Sequence, residues 1–204
     1  MKSFPNRAVL FVLGLLISGC SLHAPYRADA SHPIRTINIS QNVPIPKRMA
    51  FTGLSETLAG AAVVGAVGPA GAGAMSPSHR VGPDFGIAES LRIEFASAIQ
   101  KSGKFTVKNN GPADAELRLE VEEYGFHSAE LFARRVNPTL AVKAQLIRPG
   151  GSEAWHFRNI VTHLTSGTPA VFPEKIRENP QVGADALRVA ARLCAEKAVE
   201  TLQK

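Results

Sequence analysis

The chain has 204 residues, with 23 lysines and arginines against 17 aspartates and glutamates, and a formal net charge of +6. Its basic residues are dispersed in runs no longer than two, so the clustered cationic stripe with interleaved aromatics that nucleic acid needs is not written here, and no nucleic-acid partner is expected.

The first seven residues, Met1 to Arg7, are short and positively charged, and Ala8 to Ile17 form an uninterrupted small-or-apolar run. Ten residues rise only about 15 Å as a helix, about half of a bilayer's hydrocarbon core, so a processed leader fits better than a membrane span. Ile17-Ser18-Gly19 then lead directly into Cys20. This arrangement resembles the lipobox of bacterial lipoprotein precursors; the alternative is an incidental cysteine behind an ordinary leader or in a buried helix. The resemblance implies that Ile17, Ser18 and Gly19 are the signal-peptidase recognition residues and that Cys20 is the lipidation site. The mature chain then starts at Cys20, held in the membrane by two or three acyl chains at about 0.8 kcal/mol per buried methylene. Ser21, where inner-membrane retention usually requires Asp, implies the outer membrane, with the domain facing the periplasm. Removing residues 1–19 lowers the formal charge from +6 to +4, because the leader carries two of the basic groups and none of the acidic ones. A lipidated Cys20 leaves Cys194 without an internal disulfide partner, and its surroundings mark it as a small buried hydrophobe.

Residues 20–33 are polar and proline-marked and are expected to be a lipidated tether. Ile34 to Ser40 predict a first strand, stopped by Pro44 and Pro46. The stretch 58–75, LAGAAVVGAVGPAGAGAM, has no charge, five glycines and Pro69 near its middle. Three readings of it stay open: a flexible loop, a helical hairpin turning at Gly68-Pro69 with close or membrane-inserted contact, and an oligomerising or pore-lining element.

A helix is expected from Asp84 as cap, with Ile87, Leu91, Phe95, Ala98 and Ile99 on its apolar face and Gly103 ending it. Phe105 to Val107 predict a short strand, and Asn109-Asn110-Gly111-Pro112 a turn. Ala115 to Glu122 alternate apolar and charged residues, which predicts a half-buried strand whose Glu116, Arg118, Glu120 and Glu122 share the wet face. Thr139 to Arg148 repeat that pattern, Pro149-Gly150-Gly151-Ser152 turn, and Ala154 to Val161 return as a hairpin partner. A terminal helix is expected over Gly183–Leu202, with Ala186, Leu187, Ala190, Leu193, Cys194, Ala198 and Leu202 as its stripe.

Residues 34–204 therefore predict a single α+β domain: two layers, a mostly antiparallel sheet and two amphipathic helices on one face, with the Gly/Ala-rich insert 58–75. In outline it resembles small periplasmic domains of outer-membrane lipoproteins, including the lipopolysaccharide-assembly, curli-secretion and TolB N-terminal types.

No nucleophile elbow, phosphate loop or zinc helix is present, so no enzyme, cofactor or metal is expected. His156 and His163, seven apart on or near one strand, have poor ligand geometry. Arg134, Arg135, Arg148 and Arg158 are the candidate contacts for an anionic ligand if they gather at neighbouring strand ends; the plainer role for them is solubility. The expected function is a non-catalytic, lipid-anchored accessory or scaffold protein of the cell envelope, bound to the membrane through Cys20 and to another envelope protein. The alternatives are a component of an outer-membrane transport or assembly complex that uses 58–75, and a periplasmic hydrolase.

Overall fold

The computed structural model describes residues 23–24, 26, 31–52, 78–80, 85–108, 111–128 and 134–203. Ile17, Ser18, Gly19, Cys20, Asp84, the Asn109-Asn110 pair and the 58–75 stretch lie outside them. Among the described residues, strands β1 (His23–Ala24), β2 (Thr36–Ile39), β3 (Met49–Thr52) and β4 (Ser78–Arg80) precede helix α1 (Ile87–Ser102). Strands β5 (Thr106–Lys108), β6 (Ala115–His127), β7 (Asn137–Ile147) and β8 (Glu153–Val161) follow, then helices α2 (Pro173–Glu178) and α3 (Pro180–Leu202).

The eight strands form one sheet in the order β1-β8-β7-β6-β2-β5, with β3 also on β6 and β4 on β3. Its centre is the antiparallel meander β6-β7-β8, whose alternating sequences produce the two long ladders. The flank is parallel: β2 pairs with the first part of β6 and with β5, and β3 pairs with the last part of β6. The sheet is thus mixed and open. The chain from Thr36 to Thr52 runs along β6 as two successive strands, separated where Pro44 and Pro46 remove ladder donors.

Both long helices cover one face of this sheet, giving the two-layer α+β arrangement. Helix α1 lies towards β5 and β6, α3 lies over β7 and β8, and the two pack on each other. Leu117, Leu119 and Val121 of β6, Leu140, Val142 and Leu146 of β7, and Trp155, Phe157 and Val161 of β8 are buried in the same cluster as Leu91, Phe95, Leu187, Ala190 and Cys194. Each such large side chain taken from water contributes about 2 kcal/mol. The small stripe of α3 (Ala186, Ala190, Ala191, Ala195 and Ala198, all buried) leaves room for the stacked Trp155 and Phe157 rings on the sheet, 5.8 Å apart.

Several elements differ from the sequence expectation, each for a local reason. Helix α1 starts at Ile87, with Gly86 in the left-handed conformation as its N-cap and no side-chain cap. Phe85, also at positive φ, turns its ring edge-on to Phe126 at 6.0 Å. A Cβ at Gly183 of α3 would lie 3.0 Å from that same ring, which accounts for a glycine inside a helix. Helix α3 begins three residues earlier than expected: Pro180 fits the first helical turn, and Asn179 caps it by accepting from the Gln181 amide at 3.0 Å. β6 runs on to His127 and β7 starts at Asn137, and a bulge between Val121 and Glu123 resets the alternation so that Tyr124 and Phe126 turn inwards. The stretch expected as a tether contributes β1, which pairs with the otherwise open edge of β8, and Tyr26, whose ring meets Phe105 edge-on at 6.1 Å.

Candidate functional site

Away from the helices the sheet presents a charged face. Glu116 accepts from Arg118 Nε at 2.8 Å, Lys143 Nζ stands 3.6 Å from Glu120, and Arg158 Nε donates to Glu122 at 2.6 Å. The three glutamates that share this face of β6 are therefore paired with cations. Among the described residues no group of three or more His, Cys, Asp and Glu is placed to hold a metal. His156 is bonded to Glu153 at 2.8 Å, and that bond, with Gln145 donating as well, holds the Glu153 carboxyl below its usual range.

Among the described residues the same face contains a cleft, of about 290 Å³, where β2, the start of β6 and the β7–β8 turn meet. Asn38, Ala115, Glu116, Arg118, Ile147 and Arg148 line it, with Pro149, Gly150 and Gly151 of the turn. The turn is built for close approach: Gly150 and Gly151 both have positive φ, Arg148 N–H donates to the Ser152 carbonyl at 2.9 Å, and Gly151 N–H to the Arg148 carbonyl at 3.0 Å. Just before β6, Asp114 receives the Arg35 and Thr36 amides at 2.9 and 2.8 Å and the Thr36 hydroxyl at 2.9 Å, which fixes the start of β2 beside β6. Those hydrogen bonds hold its carboxyl below the ordinary value.

Arg148 is the unusual group here. Its Nε and Nη2 are shut off from solvent without a hydrogen-bond partner among the described residues, and Asn38 Oδ1 is in the same condition. Glu116 is already engaged by Arg118, so the Arg148 cation has no matched carboxylate in the cleft. A guanidinium without a matched carboxylate favours a carboxylate or phosphate group, whose two oxygens accept two parallel N–H groups. The arrangement supports holding an anionic group.

The four arginines singled out in the sequence do not gather. Arg134 and Arg135 lie just before β7 and Arg148 just after it, at opposite ends of an 11-residue strand that spans about 35 Å. Arg135 stacks over the Phe172 ring at 4.8 Å, and Arg158 is held by Glu122. Only Arg148 of the four lines the cleft. The partners that sequence reasoning missed, Asn38 and Ala113, come from segments remote in the chain. Cys194, by contrast, is where its sequence placed it: burial pushes its thiol up to about 12, against a hydrogen bond with Asn159.

No family model matches this chain, and no curated protein does. Among solved structures it is similar to a PelC dodecamer from Paraburkholderia phytofirmans, at 14% identity and a TM-score of 0.46, covering 90% of this chain and 96% of that one. It is also similar to a Xanthomonas campestris protein of the DUF330 family, at 13% identity and a TM-score of 0.44, covering 86% and 90%. A DUF4136 family protein from Bacteroides thetaiotaomicron follows at 7% identity and a TM-score of 0.34, covering 91% and 98%. All three likenesses are too remote to carry a function across.

Proposed function

We propose that this chain is a lipid-anchored accessory protein of a bacterial cell envelope, facing the periplasm from the outer membrane and acting by binding, not by catalysis. The observation that carries the reading is the run from Lys2 to Cys20, where a charged start, ten apolar residues and Ile17-Ser18-Gly19 converge on one cysteine. The cleft at Arg148 supports a binding role, because the cation that lines it has no matched carboxylate among the described residues and suits an acidic group of a partner protein. Replacing Cys20 with Ser is expected to abolish fatty-acid labelling, retain the leader in the intact mass and shift the protein out of the outer-membrane fraction. Unchanged labelling and outer-membrane retention of Cys20→Ser overturns the reading.

One observation favours a second reading, in which the chain belongs to a transport or assembly complex through residues 58–75. The two ends of that excursion, Thr52 and Ser78, are both fixed by pairing at one end of the sheet, beside His127 and Phe51 respectively. An oligomer extracted from membranes that dissociates on deletion of 58–75, with the domain still folded, supports this reading; an unchanged oligomer or a lone monomer removes it.

A further inference from the structure

From the register of β1 we infer that the end of the sheet bearing Ile160 and Leu164 rests on the lipid surface, so that the domain is docked on the bilayer and does not hang from a long tether. This inference rests on acylation of Cys20.

The placement follows from strand direction. β1 is antiparallel to β8, with His23 opposite Phe157 and Ala24 opposite His156. The chain therefore enters β1 from the side where β8 ends, at Val161. Cys20 precedes His23 by three residues, a reach of about 11 Å at full extension. A cysteine on so short a lead brings its acyl chains to the upper half of β8. With His23 and Ala24 paired to β8, only Ser21 and Leu22 separate Cys20 from the sheet edge, short of the length a swinging tether needs.

What that end exposes fits the same surface. Four large apolar side chains among the described residues are exposed, and three of them lie here. Ile160, on the outward side of β8, is 53% exposed; Leu164, in the turn after β8, is 83% exposed; Phe172, beside the start of β7, is 39% exposed. The Val136–Val171 bridge and the Asn137 side-chain bond to the Pro169 carbonyl bring the 169–172 segment to this end. Exposed Arg134 and Arg135 flank it, which suits anionic headgroups around an apolar contact. The opposite end carries the Arg148 cleft and points into the periplasm in this orientation, which leaves it open to a partner.

The test uses the full-length acylated protein, purified from membranes and reconstituted in vesicles of phosphatidylethanolamine and phosphatidylglycerol. Cys194 is fully buried, so an added surface cysteine takes a fluorophore alone. Leu164→Cys, Ile160→Cys and Ser152→Cys are labelled in turn, and quenching by lipids with a headgroup nitroxide is measured. Ser152 lies on the order of 30 Å from Leu164 along β8. Labels at 164 and 160 are expected to be quenched several-fold more than the label at 152. Equal quenching in vesicles, with the acyl mass present, overturns the docked orientation and leaves the anchor standing. Labels at 164 and 160 that are shielded only in native envelopes assign this end to a protein partner and also overturn it. An intact mass without acyl groups removes the anchor and the orientation together.

Discussion

Strands β6, β7 and β8 each show one side to the helices and one to the outside, and the two sides obey different rules. On the helix side Leu117, Leu119, Leu140, Val142, Ala144 and Phe157 are closed off from water. On the other side the same strands carry Arg118, Glu120, Lys143 and Arg158, joined in ion pairs whose members remain partly exposed. Backbone hydrogen bonding is common to both sides, so it does not account for the difference. Stability resides in the covered side, where each apolar group is desolvated; exposed pairs gain little Coulomb energy and add at most a fraction of a kcal/mol each. The outer side is consequently free to carry recognition, and the Arg148 cleft lies there.

Substitutions on the two sides should differ accordingly. Leu119→Asp places a charge among buried apolar groups, and a loss of about 3–5 kcal/mol in urea unfolding is expected; a change below about 1 kcal/mol would mean the face is misassigned. Gly125→Ala tests the pairing of β3 with β6: a Cβ there would lie 1.8 Å from the Ala50 carbonyl oxygen of the neighbouring strand, and φ is +156°. Separation of β3 from β6 and a loss of roughly 2–4 kcal/mol are expected, read as hydrogen exchange at residues 50–52.

Asp114→Ala removes the group that receives Arg35 and Thr36, and should lower the melting temperature at neutral pH. The sign with pH follows from the lowered carboxyl: the stabilisation is fully present above the ordinary value of 3.8 and is lost as pH falls through the folded value. The gap between wild type and variant should therefore close below about pH 3.8; a gap that persists in acid contradicts the assignment. Arg148→Met should cost nothing or stabilise slightly, because it removes buried donors that lack an acceptor. Inorganic phosphate should raise the melting temperature of the wild type only. The smallest effect is expected for Glu120→Gln, under about 0.5 kcal/mol, since Lys143 meets it in solvent.

The helix-covered side was legible in the sequence because its signal is local. Alternation over Ala115–Glu122 and Thr139–Arg148 fixed both strand and face, and the stripe through Ala186, Ala190, Cys194 and Ala198 fixed the terminal helix. What escaped was set by distant partners. Met49-Ala50-Phe51-Thr52 is too short to show a period, and it is a strand because β6 continues far enough to pair with it. His23-Ala24 has no strand character of its own and is ordered by the edge of β8. Pro173 and Pro180 each open a helix, where the missing N–H is not needed. The cleft was illegible for the same reason: Arg148 was visible as a charge, but only the juxtaposition of β2, β6 and the β7–β8 turn leaves its Nε and Nη2 without an acceptor among the described residues.

The strand shared by the two halves of the 36–52 ribbon sets a timetable. Ile37 waits for Ala115, 78 residues downstream, and Ala50 waits for Gly125, 75 residues downstream. A polypeptide delivered amino-terminus first must keep both β2 and β3 without their β6 partner until that later strand arrives. Closing such a large ring adds little to the thermodynamic cost, since the penalty grows only with the logarithm of its size, but it slows assembly. Residues 36–52 thus stay without their ladder partner until β6 has been made, and in that interval they are the strands most in need of protection.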